Sequence, residues 1–101
     1  GTDHGWGGHS IVCGGSVIGG RFYNKVTTTS APTNSFPDVS LNGPYDSGQG
    51  RLLPMTAVDE YASTLLRWFG LPDALSNGVN PMEIALPNLS RFSHRNLGFL
   101  P

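Results

Sequence analysis

The apolar positions between residues 57 and 69 repeat with the period of an α-helix. They follow one another at steps of three, one, three, one and three residues: Val58, Tyr61, Ala62, Leu65, Leu66 and Phe69. Because a helix turns once in about 3.6 residues, these side chains form one apolar stripe. Thr56, with Asp59 three residues later, is expected to cap the helix, and Gly70 and Pro72 are expected to end it. The pattern predicts one amphipathic helix over residues 57–69.

The first third of the chain has no helical period. It consists of short runs of apolar, β-branched and aromatic residues bounded by glycine pairs: residues 11–13, 16–18 and 21–26. Such residues between glycine turns favour β-strands. This part of the sequence therefore predicts two or three short strands.

The remaining segments lack a period of either kind. Residues 27–50 are rich in Thr, Ser, Pro, Asn and Gly, which predicts a long irregular connection. Residues 81–89 contain two prolines, and we expect them to be extended or irregular. The fold class predicted from the sequence is an α+β fragment, a single partial domain over residues 1–101.

Composition suggests that part of the surface is covered by other protein. Charged residues are 13% of the chain, about half the usual share for a soluble domain, while there are 14 glycines and 8 prolines. A small chain with one good helix buries little apolar surface by itself. We therefore expect it to pack against further parts of a larger protein, or to form a homo-oligomer.

Charge and hydropathy exclude two classes of partner. Six basic residues against seven acidic ones give a net charge of −1, with no basic cluster for a nucleic-acid backbone. The sequence contains no apolar run of about 18 residues, so no membrane span is expected. The single cysteine, Cys13, cannot form an intramolecular disulfide and is expected to be a small buried apolar residue.

The candidate chemistry lies in the opening run of glycines, which contains Asp3, His4 and His9. Carboxylate and imidazole groups both bind Zn²⁺, at about 2.0 to 2.2 Å. Asp3 and His4 are therefore candidate ligands of a divalent metal, and His9 is a candidate third ligand or a hydrogen-bond donor to an anionic substrate. An aspartate that binds turn amides beside a structural histidine explains the same pair without a metal, and this alternative stays open.

Ordered blocks along nearly the whole chain resemble the carboxyl-terminal part of domain-of-unknown-function family 1501. The blocks are residues 1–9, residues 14–21, residues 50–56 with 58–62, residues 66–70, residues 87–89 and residues 97–100. Proteins of this family are similar to the alkaline phosphatase and sulfatase superfamily, and many are exported with a twin-arginine signal. The resemblance implies a place at the edge of an α/β sandwich, and a periplasmic or exported location.

The resemblance also implies roles for individual residues. In the superfamily, an Asp-His-Gly element at the end of a strand supplies metal ligands, and a histidine soon afterwards can contact the phosphate or sulfate of the substrate. This implies Asp3 and His4 as metal ligands and His9 as the substrate contact. The spacing to His9 is shorter than in sulfatases, and the nucleophile of the superfamily matches neither Thr2 nor Ser10.

Two functions follow as hypotheses. In the first, the chain is a piece of a metal-dependent hydrolase acting on a small anionic phosphoester or sulfuric ester, and it is inactive alone because the nucleophile lies elsewhere. In the second, the chain is a non-catalytic structural or binding module that retains the hydrolase-like architecture. Further Asp, His and nucleophile positions in the parent protein would favour the first.

Overall fold

The computed structural model describes residues 7–23, residue 36 and residues 38–101. Helix α1 spans Val58–Trp68, helix α2 spans Pro81–Ala85, and a single turn of 3-10 helix spans Leu89–Arg91. The rest of the described chain is irregular. Strand pairing within it is limited to two isolated bridges, Asp46 with Leu52 and Ser76 with Val79, so the described residues form no sheet.

The predicted strands at residues 11–13 and 16–18 are wrong. The backbone is irregular through the first run and turns at the second, where the Val17 amide donates to the Gly14 carbonyl at 3.1 Å. Of the third run, residues 21–23 are irregular and residues 24–26 lie outside the described part. A strand needs a neighbouring strand for its backbone groups, and the described part of this region has none; the Ile18 amide donates to the Phe99 carbonyl at 3.0 Å, which belongs to an irregular segment. The predicted irregular connection is confirmed over residues 38–50.

The predicted helix is confirmed, but its cap is displaced by one residue. The N-cap is Ala57, not Thr56, and the side chain that closes the first turn belongs to Glu60, not Asp59. A carboxylate oxygen of Glu60 accepts a hydrogen bond from the Ala57 amide at 2.9 Å. This is the acidic half of a capping box, and the alanine lacks the oxygen for the other half.

The carboxyl end of α1 follows the prediction. The Gly70 amide donates to the Arg67 carbonyl and the Leu71 amide donates to the Leu66 carbonyl, both at 2.9 Å. Gly70 has a φ of 93°, which a residue with a side chain adopts only at a cost. This pair of bonds is the Schellman ending, and it stops the helix before Pro72.

The face that α1 buries is polar, which the periodicity did not predict. Glu60, Ser63 and Thr64 are buried, whereas Val58 and Phe69, at the two ends of the apolar stripe, are 75% and 77% exposed. The segment that covers the polar face is irregular, and its backbone groups need hydrogen-bond partners. The serine and threonine hydroxyls supply them, so the burial of this face follows from what packs on it.

Helix α2 corrects the expectation of an extended segment. The Asn80 side chain accepts a hydrogen bond from the Met82 amide at 3.0 Å, and Pro81 occupies the first helical position. A proline fits there because the first amide of a helix has no partner within the helix. The proline therefore begins the helix, and the helix ends before Pro87.

The core of the described residues is small. Its fully or nearly buried apolar side chains are Met82 from α2, Leu89 from the 3-10 turn, Phe99 and Leu100. Cys13, which we expected to be buried, is exposed. No helix in the part of the chain that the structure describes is long and apolar enough to cross a membrane.

The connection before α1 contains a tight loop closed by Asp46. Its carboxylate accepts hydrogen bonds from the amides of Asn42 and Gly48 at 2.8 Å and from that of Gly50 at 3.1 Å. These bonds, that of Asn42 first, outweigh partial desolvation and lower the pKa of Asp46 below its ordinary value of 3.8. The loop fixes the backbone up to Leu52, which matters for the site described next.

Candidate functional site

Of the predicted site residues, His9 lies in the described part of the chain, and Asp3 and His4 lie outside it. His9 belongs to the glycine-rich segment, which we define as residues 7–23. Its side chain is exposed. The structure therefore describes the surroundings of the predicted substrate contact and not those of the predicted metal ligands.

The imidazole of His9 rests on an aromatic ring. Its centroid lies 4.8 Å from that of Phe36 with the two planes 19° apart, so the rings are stacked. Phe22 meets the Phe36 ring edge-on, with the two centroids 5.5 Å apart. Stacked and edge-to-face contacts of this kind are favourable at these distances. They use the face of the imidazole, and they leave its two nitrogen atoms at the rim of the ring for polar partners.

Gly7 lets the segment pass close to the loop that Asp46 closes. A Cβ atom at Gly7 would lie 3.0 Å from the carbonyl oxygen of Leu52, which is too close for an ordinary contact. A Cβ atom at Gly8 would meet no atom of the described residues within 4 Å. A side chain could therefore be accommodated among the described residues at Gly8 but not at Gly7, where the backbone of Leu52 is too close.

The other end of the glycine-rich segment is fastened to residues far away in the sequence. The Ile18 amide donates to the Phe99 carbonyl at 3.0 Å, and the Tyr23 hydroxyl donates to the Ile18 carbonyl at 2.6 Å. The Tyr23 and Phe99 rings meet edge-on with centroids 5.7 Å apart. His9 therefore lies on a segment held at Gly7 by a close approach and at Ile18 and Tyr23 by polar and aromatic contacts.

The donor chemistry of the predicted metal site suits Zn²⁺, because one carboxylate and up to two imidazoles are among its preferred ligands. Within residues 7–23, 36 and 38–101, no group of three or more His, Cys, Asp or Glu side chains is arranged to hold a metal ion. Ser10, a side chain that we considered as a nucleophile, is exposed beside His9. Thr2 lies outside the described residues.

A second polar centre, which the sequence did not point to, surrounds Asp73. We call it the Asp73 cluster; its members are Arg67, Asp73, Asn80, Glu83 and Arg95. The Arg95 guanidinium binds Asp73 with two hydrogen bonds, of 2.9 Å from Nε and 2.5 Å from Nη2, and binds Glu83 at 2.6 Å from Nη1. Arg67 and the Asn80 amide add bonds of 2.8 and 3.0 Å to the same aspartate.

The Asp73 carboxylate is nearly inaccessible, with 4% of its side chain exposed. Burial opposes its ionisation, but the hydrogen bonds from Asn80 and Arg95, together with the charges of Arg95 and Arg67, outweigh burial and lower the pKa of Asp73 below 3.8. The hydrogen bond to Glu83, and then that to Asp73, raises the pKa of Arg95. The positive charges of Arg67 and Arg95 are paired with the negative charges of Asp73 and Glu83. We therefore interpret the cluster as a set of interactions that stabilises the packing of these segments.

Two signals in the sequence could have led to these residues. Arg95 is a charged residue near the apolar positions 97, 99 and 100 of a chain with few charges, and a charged residue that becomes buried usually has a partner. Asn80 before Pro81 is a helix-start signal, and it indicates a structural role for the Asn80 side chain. No comparable signal links Phe36 to His9, because they lie 27 positions apart in the sequence.

Comparisons with protein-family models, curated proteins and solved structures found no match to this chain.

Proposed function

We propose that this chain supplies the metal-ligand and anion-contact loop of a metal-dependent hydrolase that acts on small phosphoesters or sulfuric esters. Asp3 and His4 are assigned as ligands of a divalent cation such as Zn²⁺, and His9 as the contact to the anionic group. The assignment comes from the resemblance to domain-of-unknown-function family 1501, which also implies an exported protein. The observation that best supports it is the exposed His9 imidazole stacked on Phe36.

The stacked arrangement suits an anion contact for a physical reason. An imidazole has two chemically useful atoms, both at the rim of the ring, and its flat face is apolar enough to pack on phenylalanine. Holding the face on Phe36 restricts the rotation of the His9 side chain while a ring N–H remains able to donate to a phosphate or sulfate oxygen. Restricting the donor beforehand lowers the entropy cost of binding the anion.

The metal, when bound, would polarise the ester oxygen and lower the pKa of an attacking group. No residue of the described chain is assigned as that attacking group. We therefore expect the purified chain to hydrolyse model phosphate and sulfate esters no faster than buffer containing the same metal. Metal-dependent turnover by this chain alone would show that the nucleophile is present within it.

The ligand assignment is tested by calorimetric titration with Zn²⁺. We expect the chain to bind Zn²⁺ and the double variant Asp3→Ala, His4→Ala to lose that binding. The matched control is Asp59→Ala, His94→Ala, which also removes one carboxylate and one imidazole, and we expect it to bind as the native chain does. Unchanged binding by the first variant would remove Asp3 and His4 as ligands.

The second candidate function is a non-catalytic structural or binding module. The Asp73 cluster favours it, because the nearly buried Asp73 carboxylate joins α1, α2 and Arg95 and is neutralised there. On this proposal the glycine loop holds Asp3 and His4 as a hydrogen-bonded pair. Absence of Zn²⁺ binding in the titration above, with native secondary structure, would favour this function over the hydrolase.

Self-association is proposed under either function, because large apolar side chains are exposed on several segments. They include Ile11, Phe36, Leu41, Val58, Phe69, Leu75 and Ile84. Such residues are normally covered when they are this numerous in a small domain. We expect light scattering of the chain to give at least the mass of a dimer, and a monomer at high concentration would contradict this.

A further inference from the structure

The segment from Ser93 to Pro101, which we call the strap, crosses the polar face of α1 and ends in the small core. Ser63 Oγ lies 2.5 Å from the Arg95 carbonyl oxygen, and the Leu97 amide donates to Thr64 Oγ1 at 2.8 Å. Thr64 Oγ1 in turn donates to the Glu60 carbonyl at 3.0 Å. The strap is thus held along α1 by hydroxyl groups and has no regular secondary structure of its own.

Each end of the strap has a different kind of attachment. Near its start, Arg95 inserts its guanidinium between Asp73 and Glu83, with the three hydrogen bonds given above. Near its end, the Phe99 ring is buried, with its centroid 5.6 Å from that of Tyr61 on α1. The Phe99 carbonyl is also the acceptor for Ile18 of the glycine-rich segment.

We propose that the strap is a releasable latch in which the Arg95 guanidinium, seated on Asp73 and Glu83, keeps both the strap and the glycine-rich segment closed on α1. The physical basis is that the glycine-rich segment has no sheet or helix to hold it, and that its end at Ile18 and Tyr23 is attached to Phe99 of the strap. When Arg95 leaves the carboxylates, the strap loses its strongest polar attachment, since bidentate bonds between charged groups are stronger than bonds between neutral ones. Ile18 and Tyr23 then lose the partner that holds them.

The latch differs from general stabilisation in one respect. Helix α1 has its own capping interactions at Ala57 and at Gly70, which do not involve the strap. Opening is therefore expected to be local, with the strap and the glycine-rich segment moving together while α1 stays helical. Native proteins open locally, in cooperative units, at a lower free-energy cost than that of global unfolding.

The test is amide hydrogen exchange of the whole chain, followed residue by residue by NMR. In the native chain we expect the Leu97 and Ile18 amides to be protected from exchange. The variant Arg95→Gln is expected to speed exchange at both amides by about tenfold or more, which corresponds to about 1.4 kcal/mol or more. The Phe69 amide, which donates to the Leu65 carbonyl at the end of α1, is expected to change less than about twofold.

The matched control is Arg67→Gln. Arg67 also binds Asp73, at 2.8 Å, but it belongs to α1 and not to the strap. We expect this variant to leave Leu97 and Ile18 exchange within about twofold of the native rate. The variant Glu83→Gln removes a charge facing Arg95 and leaves Asp73 in place. We expect it to speed exchange at Leu97 and Ile18 more than Arg67→Gln does and less than Arg95→Gln does.

Four outcomes would overturn the latch. They are no protection at Leu97 and Ile18 in the native chain, equal effects of Arg95→Gln and Arg67→Gln, an effect on Leu97 without one on Ile18, and equal acceleration at Phe69. The last result would mean that the whole molecule unfolds together. None of these outcomes depends on whether the chain binds a metal.

Discussion

The helical region, residues 56–101, and the glycine-rich segment, residues 7–23, obtain their structure in different ways. The helical region contains its own caps, its own core and the Asp73 cluster. The glycine-rich segment contains no helix or strand, and its backbone bonds include one local turn at Gly14 and the bond from Ile18 to Phe99. The first region is organised by its own residues, and the second is organised by contact with other segments, at Phe99 of the first region and at Leu52 and Phe36 outside it.

The difference explains how a site can lie on a segment with little structure. Glycines allow a backbone to approach other atoms closely, as Gly7 approaches Leu52, but they contribute no side chains for packing. A segment rich in them can present His9 to a ligand only if something else holds it. In this molecule Phe99 and Phe36 provide that support, and the predictions below test how far the support extends.

The largest expected effect is that of Phe99→Ala. This substitution removes a buried ring that contacts Tyr61 and Tyr23, while the Phe99 carbonyl that accepts from Ile18 remains. We expect it to lower the free energy of unfolding by about 3 to 5 kcal/mol, measured by urea titration. The exposed Phe69 is the control, and Phe69→Ala is expected to cost about 0.5 kcal/mol or less. Equal losses in the free energy of unfolding for the two variants would show that Phe99 is not part of the core.

The Asp73 cluster is expected to contribute less than Phe99. Asp73→Asn removes a nearly buried charge that accepts from Arg95, Arg67 and Asn80. The expected loss is about 2 kcal/mol in the same titration, because hydrogen bonds to charged groups are worth more than neutral ones. Glu83→Gln is the control, since that side chain is 37% exposed and solvent weakens its ion pair. A larger loss for the control would contradict the assignment of Asp73 as the centre.

The same carboxylate predicts how stability depends on pH. The pKa of Asp73 in the folded chain is lower than its ordinary value of 3.8, so its contribution is complete above about pH 3.8 and is lost as the pH falls through the folded value. The native chain should therefore lose stability on acidification below pH 3.8, and Asp73→Asn should lose less over that range. Asp38 and Asp46, whose pKa values are also lowered, account for the sensitivity that remains in the variant. Identical slopes for both proteins would contradict this.

A smaller effect is expected at the end of α1. Gly70 has a φ of 93° and open space around it, so Gly70→Ala costs backbone strain without a clash. The expected loss in the free energy of unfolding is about 1 kcal/mol. At Gly8, which also faces open space but does not have a positive φ, alanine is expected to change stability by less than that. If Gly8→Ala proves as costly, the glycine-rich segment is more rigidly held than its contacts indicate.

The sequence predicts the parts of the fold that depend on neighbouring residues. The period of the apolar positions gives α1 to within one residue at each end, and Gly70 gives its ending. It does not give the buried face, because Ser63 and Thr64 are buried by a strap about thirty residues further along the chain, which no local pattern encodes. The predicted strands are wrong for a related reason, since the apolar runs around Gly14 suit strands but have no partner strand in the described chain.

The candidate site, like the fold, is predicted by the sequence only in part. That His9 is exposed agrees with a glycine-rich loop, but its stacking on Phe36 joins two segments far apart in sequence. The proline before Met82 suggested an extended chain, although after Asn80 it begins a helix. Arg95 was missed because its partners Asp73 and Glu83 come from two other segments.

The central claim is that metal binding belongs to the first residues of the chain, while the helical region stabilises the fold. Its most direct test is an NMR titration of the whole chain with Zn²⁺. The account predicts that amide signals of residues 3–9 shift, while those of residues 58–91 stay within the spread of a Mg²⁺ titration. Shifts centred on Asp73 and Glu83, or no shifts anywhere, would contradict it.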